Sequence, residues 1–291
     1  MNAIHVGHAS SPGVVRIEAL RSEPGLALAP RNDELSVEEP LEIRIAGEPL
    51  AVTMRTPGHD HELAVGFLLA ERLIRSRDDL GSIAHCGRLG APGAHNALNV
   101  VPAPGVLLDT DALERSHRGT LTSSACGVCG RLLVDDLVRK LAPSPPCEPF
   151  EPAFIAGLPD ELRARQPCFD RTGGLHAAGV ARPEAGLLVV REDVGRHNAV
   201  DKAIGRLCLD GRVPAAGAVL VVSGRTSFEI VQKAVAAGLA GVVGISAPSS
   251  LAVTTAERFG LLLCGFARSG GFNVYAGAER LRPLYGARAE R

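Results

Sequence analysis

The stretch Gly217–Ser246, GAVLVVSGRTSFEIVQKAVAAGLAGVVGIS, sets two short apolar runs on either side of a segment with helical spacing. Strand-length apolar runs that alternate with amphipathic helices belong to a sheet covered on both faces. The rhythm extends both ways along the chain. Upstream, GLLVVRED (186–193) reads as a strand and GRHNAVDKAIGRL (195–207) as a helix with Val200, Ile204 and Leu207 on one face. Downstream, SLAVTTAERFG (250–260) is a further helix and LLLCGFA (261–267) closes the series. The expectation is a three-layer α/β fold.

The first third of the chain has a different pattern. LEIRIAGEPLAVTMR (41–55) alternates apolar and polar residues about Ala46-Gly47-Glu48-Pro49, which predicts a β-hairpin. TPGHDHELAVGFLLAERLI (56–74) carries Leu63, Phe67, Ala70 and Ile74 at helical spacing, with Asp60 and Glu62 in the first turn. HNALNVV (95–101) and GVLLD (105–109) read as short strands. These segments predict a smaller α+β N-terminal domain over 31–115, ahead of an α/β domain over 116–285. Residues 1–30, rich in Gly, Pro and Ser, are expected to form a flexible arm. LAPSPPCEPFEP (141–152), with five prolines, reads as a linker or surface loop.

Composition narrows the function. With 291 residues, 46% of them hydrophobic, a formal net charge of -1 and a pI near 6.8, no bulk field draws the chain to nucleic acid or acidic membranes. Residues 1–20 lack the basic start and apolar run expected of a signal peptide, and no apolar run reaches membrane-spanning length. Seven cysteines without regular spacing do not form a secreted disulfide framework, so a cytoplasmic protein is expected.

Ligands of open α/β sheets bind beyond the carboxyl ends of the strands. Those ends read Arg191-Glu192-Asp193, Ser223-Gly224-Arg225-Thr226, Ser246-Ala247-Pro248-Ser249-Ser250 and Arg268-Ser269-Gly270-Gly271. Such loops offer backbone N–H groups to an anion, and Arg225 and Arg268 suit a phosphate. Asp193, His197 and Ser223 join Arg225 as rim candidates on topology. His197 and Asp201, four apart, can share a helix face. Thr226 and Glu229 fit a capping box. No Walker or dinucleotide fingerprint occurs. His59-Asp60-His61-Glu62 resembles a metal cluster, but adjacent helical residues do not converge, and helix-start capping explains it better.

Cys126 and Cys129 in SSACGVCG (123–130) admit three chemistries. A structural zinc site needs a second ligand pair, and the other cysteines (86, 147, 168, 208, 264) are solitary. A zinc deaminase needs an upstream H-x-E that the chain lacks. Thiol chemistry remains: the pair precedes an apparent helix with Leu133, Leu137 and Leu141 on one face, whose positive end and Arg131 favour a thiolate. The residues alone leave a sulfur carrier, a dithiol oxidoreductase and a non-catalytic cofactor-delivery chaperone open.

From Glu39 to Gly277 the chain resembles the FdhD family, sulfurtransferase accessory proteins of formate dehydrogenase. The resemblance is carried, in order, by EEPLEIRIAGEPLAVTMRTPGHDHELAVGFLLAERLI, SSACGVCG, GGLHAAG, REDVGRHNAVDKAIG, SGRTSFEIVQKA, ISAPSSLAV and NVYAG. It implies that an IscS-type cysteine desulfurase loads a persulfide onto Cys126, with Cys129 as its partner. It also implies onward transfer to the molybdenum bis-guanine-dinucleotide cofactor, bound as substrate, on its way to the formate dehydrogenase catalytic subunit. The family's cofactor segment falls on Phe266, Ala267, Arg268, Ser269, Gly270 and Gly271. A homodimer, a cytidine-deaminase-like second domain and no structural metal are further implications.

Overall fold

A computed structural model describes residues 9–11, 13–25, 27–87, 93–108 and 141–283. The N-terminal part holds two sheets. Strands β1 (Ala9–Ser11), β2 (Val14–Arg21) and β3 (Ala29–Ser36) form an antiparallel sheet in that order. The flexible arm expected over residues 1–30 is therefore corrected for the described part of it. Alternation of Val15, Ile17 and Ala19 with exposed Arg16 and Glu18 supplies a half-buried strand inside a Gly/Pro-rich stretch.

β4 (Glu39–Ile45) and β5 (Glu48–Arg55) make the expected hairpin. Ala46 and Gly47 both take positive φ (52° and 91°), as a two-residue turn that follows the strand twist requires. β6 (Leu80–His85) and β7 (Ala97–Pro102) complete a four-stranded sheet in the order β5-β4-β7-β6. The strand expected at GVLLD is absent from the described part, 105–108.

Helix α1 (Asp60–Ala70) links this sheet to the rest. It is buried on nearly every side rather than along one stripe: Leu63, Ala64, Val65, Leu68 and Leu69 are at most 1% exposed, Phe67 is only half-buried, and Ile74 lies beyond the helix end. A helix apolar all round belongs inside a core.

The C-terminal part is a six-stranded sheet in the order β13-β12-β11-β10-β8-β9. Its strands are β8 (His176–Arg182), β9 (Gly186–Asp193), β10 (Val219–Val222), β11 (Gly241–Gly244), β12 (Leu262–Arg268) and β13 (Gly271–Ala276). β10, β11 and β12 run parallel, while β8, β9 and β13 pair antiparallel. Helices α2 (Pro152–Arg163), α3 (Pro167–Thr172), α4 (Arg196–Leu209), α5 (Phe228–Ala236) and α6 (Ser250–Phe259) accompany it.

Strand alternation divides the apolar side chains between two layers. Leu220, Val222 and Val242 pack with α4, α5 and α6, whereas Val219, Val221 and Val243 pack with Ile155, Leu158 and Leu162 of α2. The three-layer expectation holds, as a mixed sheet. The first core also takes in Leu41, Ile43, Leu63 and Leu68, so it is continuous across the expected boundary at 115/116.

Two glycines permit that continuity. A Cβ on Gly205 of α4 would lie 1.8 Å from the Glu62 carbonyl oxygen, and one on Gly66 of α1 would lie 2.0 Å from the Asp201 carbonyl oxygen. The helices cross backbone to backbone, which only glycine allows.

Candidate functional site at the sheet rim

Asp193 ends β9 and is fully buried. Its carboxylate accepts from Thr56 N–H at 3.1 Å, Gly195 N–H at 2.8 Å and Asn198 Nδ2 at 3.0 Å, and pairs with Lys202 Nζ at 2.6 Å. A carboxylate so enclosed holds the loop before α4 in shape and has no face for a ligand. Ser223 likewise serves the frame: its Oγ accepts from Ala177 N–H at 2.9 Å, where β8 begins and β10 has just ended.

His197 does not pair with Asp201. Its Nε2 stands 3.1 Å from Ser227 Oγ and 2.9 Å from Glu229 Oε2, so it ties the first turn of α4 to that of α5. Asp201 instead accepts from Lys233 Nζ at 2.7 and 2.8 Å, both groups buried. The capping box is corrected too: Ser227 is the N-cap of α5, Glu229 is engaged by His197, and the buried Thr226 Oγ1 has no hydrogen-bond partner.

Two further residues complete this corner, His176, which lacks a deaminase's glutamate two residues on, and Arg196. His176 begins β8, and Arg196 is the first residue of α4. A Cβ on Gly224 would stand 3.4 Å from His176 Nδ1 and 3.9 Å from Arg196 Cβ. Burial, then the nearby Arg196 and His197, push the His176 imidazole below its ordinary range. The hydrogen bond from His197 outweighs burial and holds the Glu229 carboxyl below its usual range. Arg196 was legible only as one more arginine beside His197 in GRHN; its meaning comes from the helix start it occupies. Arg225 is exposed one residue past Gly224.

Across the rim, Phe266, Ala267, Arg268, Ser269, Gly270 and Gly271 form the β12–β13 turn. Ala267 is buried, Arg268 is exposed, and Ser269 and Gly270 carry the positive φ of a tight turn (52° and 76°). Phe266 sits in a register shift with φ 51°, its N–H on the Ser246 carbonyl at 3.1 Å and its side chain exposed. An aromatic residue in left-handed backbone is a genuine outlier.

Cys126 and Cys129, and the helix expected after them up to residue 140, lie outside the described residues. Among the described cysteines, burial pushes Cys208 up to about 11 and Cys264 up to about 12, which leaves both protonated and inert near neutral pH.

HDHE starts α1 as expected, but its acids cap nothing. Asp60 receives the buried Arg55 guanidinium at 3.0 and 3.1 Å, and Glu62 receives Arg191 at 2.8 Å. Burial would raise Glu62, yet the bonds from Arg191 and His59 win and hold it at about 2. His59, His61, His85 and His95 line a cleft of about 670 Å³ beside these pairs. No group of three or more His, Cys, Asp or Glu among the described residues is arranged to hold a metal ion. No helix among them is long and apolar enough to cross a membrane.

Comparison with known proteins identifies the lineage. The profile of the FdhD/NarQ family matches residues 36–282. The chain is 50% identical over 255 residues to the sulfur carrier protein FdhD of Anaeromyxobacter dehalogenans, covering 86% of this chain and 88% of that one. It is 48% identical over 273 residues to the sulfur carrier protein FdhD of Streptomyces avermitilis, covering 91% and 95%. A crystal structure from Desulfotalea psychrophila, of a protein assigned as a formate dehydrogenase accessory protein, superposes with a TM-score of 0.72. That match covers 93% of this chain and all of the other at 21% identity, and so speaks to the fold. With a profile running through the four-stranded and six-stranded sheets and the whole rim, this chain belongs to the FdhD/NarQ family.

Proposed function

We propose that this protein is a sulfur carrier serving the maturation of a formate dehydrogenase in the cytoplasm, most plainly as a homodimer. The observation that carries the reading is the Cys126-Gly-Val-Cys129 pair in a chain about half identical, over most of its length, to proteins named sulfur carriers.

Cys126 thiolate attacks the outer sulfur of a desulfurase persulfide. The products are a Cys126 persulfide and the desulfurase thiolate, with atoms and charge balanced. Cys129 thiolate then attacks the Cys126 sulfur, forming a Cys126–Cys129 disulfide and releasing hydrosulfide to the molybdenum bis-guanine-dinucleotide substrate. A dithiol reductant supplies the two electrons that reset the pair. The substrate rests against the Phe266–Gly271 turn and the rim near Arg225, with Asp193, His197 and Ser223 shaping that rim from behind. The mixed sheet, with α4 and α5 starting side by side, supports a cytidine-deaminase-like ancestry for this half.

Incubation with an IscS-type desulfurase and cysteine, followed by peptide mass spectrometry, tests the reading. An added sulfur on the Cys126 peptide is expected. Full loading and transfer in Cys126→Ala would sink it.

A further inference from the structure

Neighbours on one helix do not converge, so His59-Asp60-His61-Glu62 alone is no ligand set. The fold, however, brings imidazoles to it from elsewhere. His85, the last residue of β6, and His95, two residues ahead of β7, join His61 of α1 in lining the cleft of about 670 Å³. The ring centroids of His61 and His85 are 5.7 Å apart, and those of His85 and His95 are 4.9 Å apart, edge to face. Two imidazoles on one tetrahedral zinc ion, with Zn–N about 2.0–2.1 Å, have centroids roughly 5 Å apart. His85 has a neighbour near that separation on each side.

The polar partners of His85 point the same way. Its Nε2 stands 3.8 Å from Asp60 Oδ2, and its Nδ1 is buried with no hydrogen-bond partner among the described residues. A neutral imidazole carries one proton, and the carboxylate favours that proton on Nε2. The Nδ1 lone pair is then left without a donor, beside two more imidazoles. A carboxylate behind a histidine whose other nitrogen is free is the usual support of a metal-bound imidazole. The acids of the cleft are already engaged by arginine: Asp60 and Glu39 by Arg55, and Glu62 by Arg191. What remains for a cation is nitrogen, which suits zinc and makes a poor match for the oxygen-seeking calcium and magnesium.

We propose that His85 Nδ1, joined by the imidazoles of His61 and His95, binds one zinc-class divalent ion. Among the described residues no three ligands stand around an ion beforehand. His61 and His95 are exposed, so their rings turn onto an ion held at His85 by side-chain rotation alone, and water completes the shell. Ordering those rings makes the site weaker than a preformed one. The bound ion ties the end of β6 and the turn before β7 to the start of α1. Arg206 and Leu209, in the last turn of α4, also line the cleft, and a helix of 14 residues spans about 20 Å. The metal site thus lies at the opposite end of α4 from the rim, and it does not rest on the sulfur-carrier reading.

Calorimetric titration of the chelator-treated full chain with zinc, calcium and magnesium chlorides tests it. The chain carries Cys126→Ser and Cys129→Ser, so that the thiol pair does not compete for zinc. One zinc per chain is expected at neutral pH, with no binding of calcium or magnesium. Zinc binding should fade below about pH 6.5, as the imidazoles take up protons. His85→Gln, His61→Gln and His95→Gln should each weaken zinc at least about tenfold, the scale on which even an outer partner of a metal site acts. His59→Gln should leave it unchanged, because His59 is turned to Glu62 at 3.5 Å. His61 and His95 are exposed, so their variants separate ligation from folding, with circular dichroism as the check. Cobalt in place of zinc should show no thiolate charge-transfer band, which excludes the exposed Cys86 next to His85 as the ligand. No zinc binding by the parent chain, unchanged affinity in His85→Gln or in both His61→Gln and His95→Gln, or a thiolate band with cobalt overturns the site.

Discussion

Lys202 Nζ lies 2.6 Å from Asp193 Oδ2, and neither side chain is more than 1% exposed. The pair does more than neutralise itself. Lys202 also donates to the Thr56 carbonyl at 2.8 Å, Asp193 accepts from Thr56 N–H, and Thr56 Oγ1 accepts from Val194 N–H at 3.1 Å. One threonine at the end of the N-terminal hairpin is thus fastened by three bonds to the loop before α4. The rim inherits its shape from a segment more than a hundred residues away in sequence.

Removing one member of such a pair leaves a charge buried without compensation. Lys202→Met should cost about 3–5 kcal/mol in urea unfolding, whereas Asp193→Asn with Lys202→Met should cost less than the sum of the single changes. Additive losses would mean that the pair does not act as a unit.

Two glycine substitutions in helices should move stability in opposite directions. Gly205→Ala gains helix propensity of about 1 kcal/mol, but its Cβ would stand 1.8 Å from backbone at Glu62, so the clash wins and α1 and α4 are forced apart. Gly157→Ala, in α2, meets nothing within 4 Å and should stabilise by about 0.5–1 kcal/mol. Melting temperatures of the two variants check both signs.

The alternating runs of the C-terminal half were legible because parallel strands buried on both faces are nearly pure apolar, and Val219–Val222 and Gly241–Gly244 are of that kind. β8 was harder to see, since His176-Ala177-Ala178-Gly179 has little bulk. It is a strand because the sheet pairs it on both edges. The rim candidates were legible as positions but not as roles. Asp193 and Ser223 prove to be frame, and His197 chooses Glu229 over Asp201, because local spacing says nothing of a helix that arrives thirty residues later. The backbone of Phe266 left no mark on the sequence; a register shift makes it.

Acid should loosen the fold in two stages. Burial, ahead of the other contributions, lowers His85, and it does the same to His176. A histidine with a depressed folded pKa contributes stability in full above its unfolded value of 6.5, and this is lost as pH falls toward the folded value. Glu62, held at about 2 against 4.5, contributes stability above 4.5 that is lost as pH approaches 2. Unfolding free energy should therefore begin to fall just below pH 6.5, before any carboxylate effect. His85→Gln with His176→Gln should flatten that first stage, and an unchanged slope would refute the assignment.

Phe266→Gly and Phe266→Leu separate strain from recognition. Glycine accepts φ 51° without cost and the ring it replaces is exposed, so Phe266→Gly should keep or slightly raise the melting temperature. Leucine keeps apolar bulk and inherits the strain, so Phe266→Leu should not gain stability. If the ring is held for its face, both variants lose guanosine and GDP affinity alike, because neither offers an aromatic plane. If the ring is only filler at the end of β12, Phe266→Leu retains binding. Calorimetry on the two variants beside the parent chain decides between these, and the glycine variant's undiminished melting temperature rules out unfolding as the cause of lost binding.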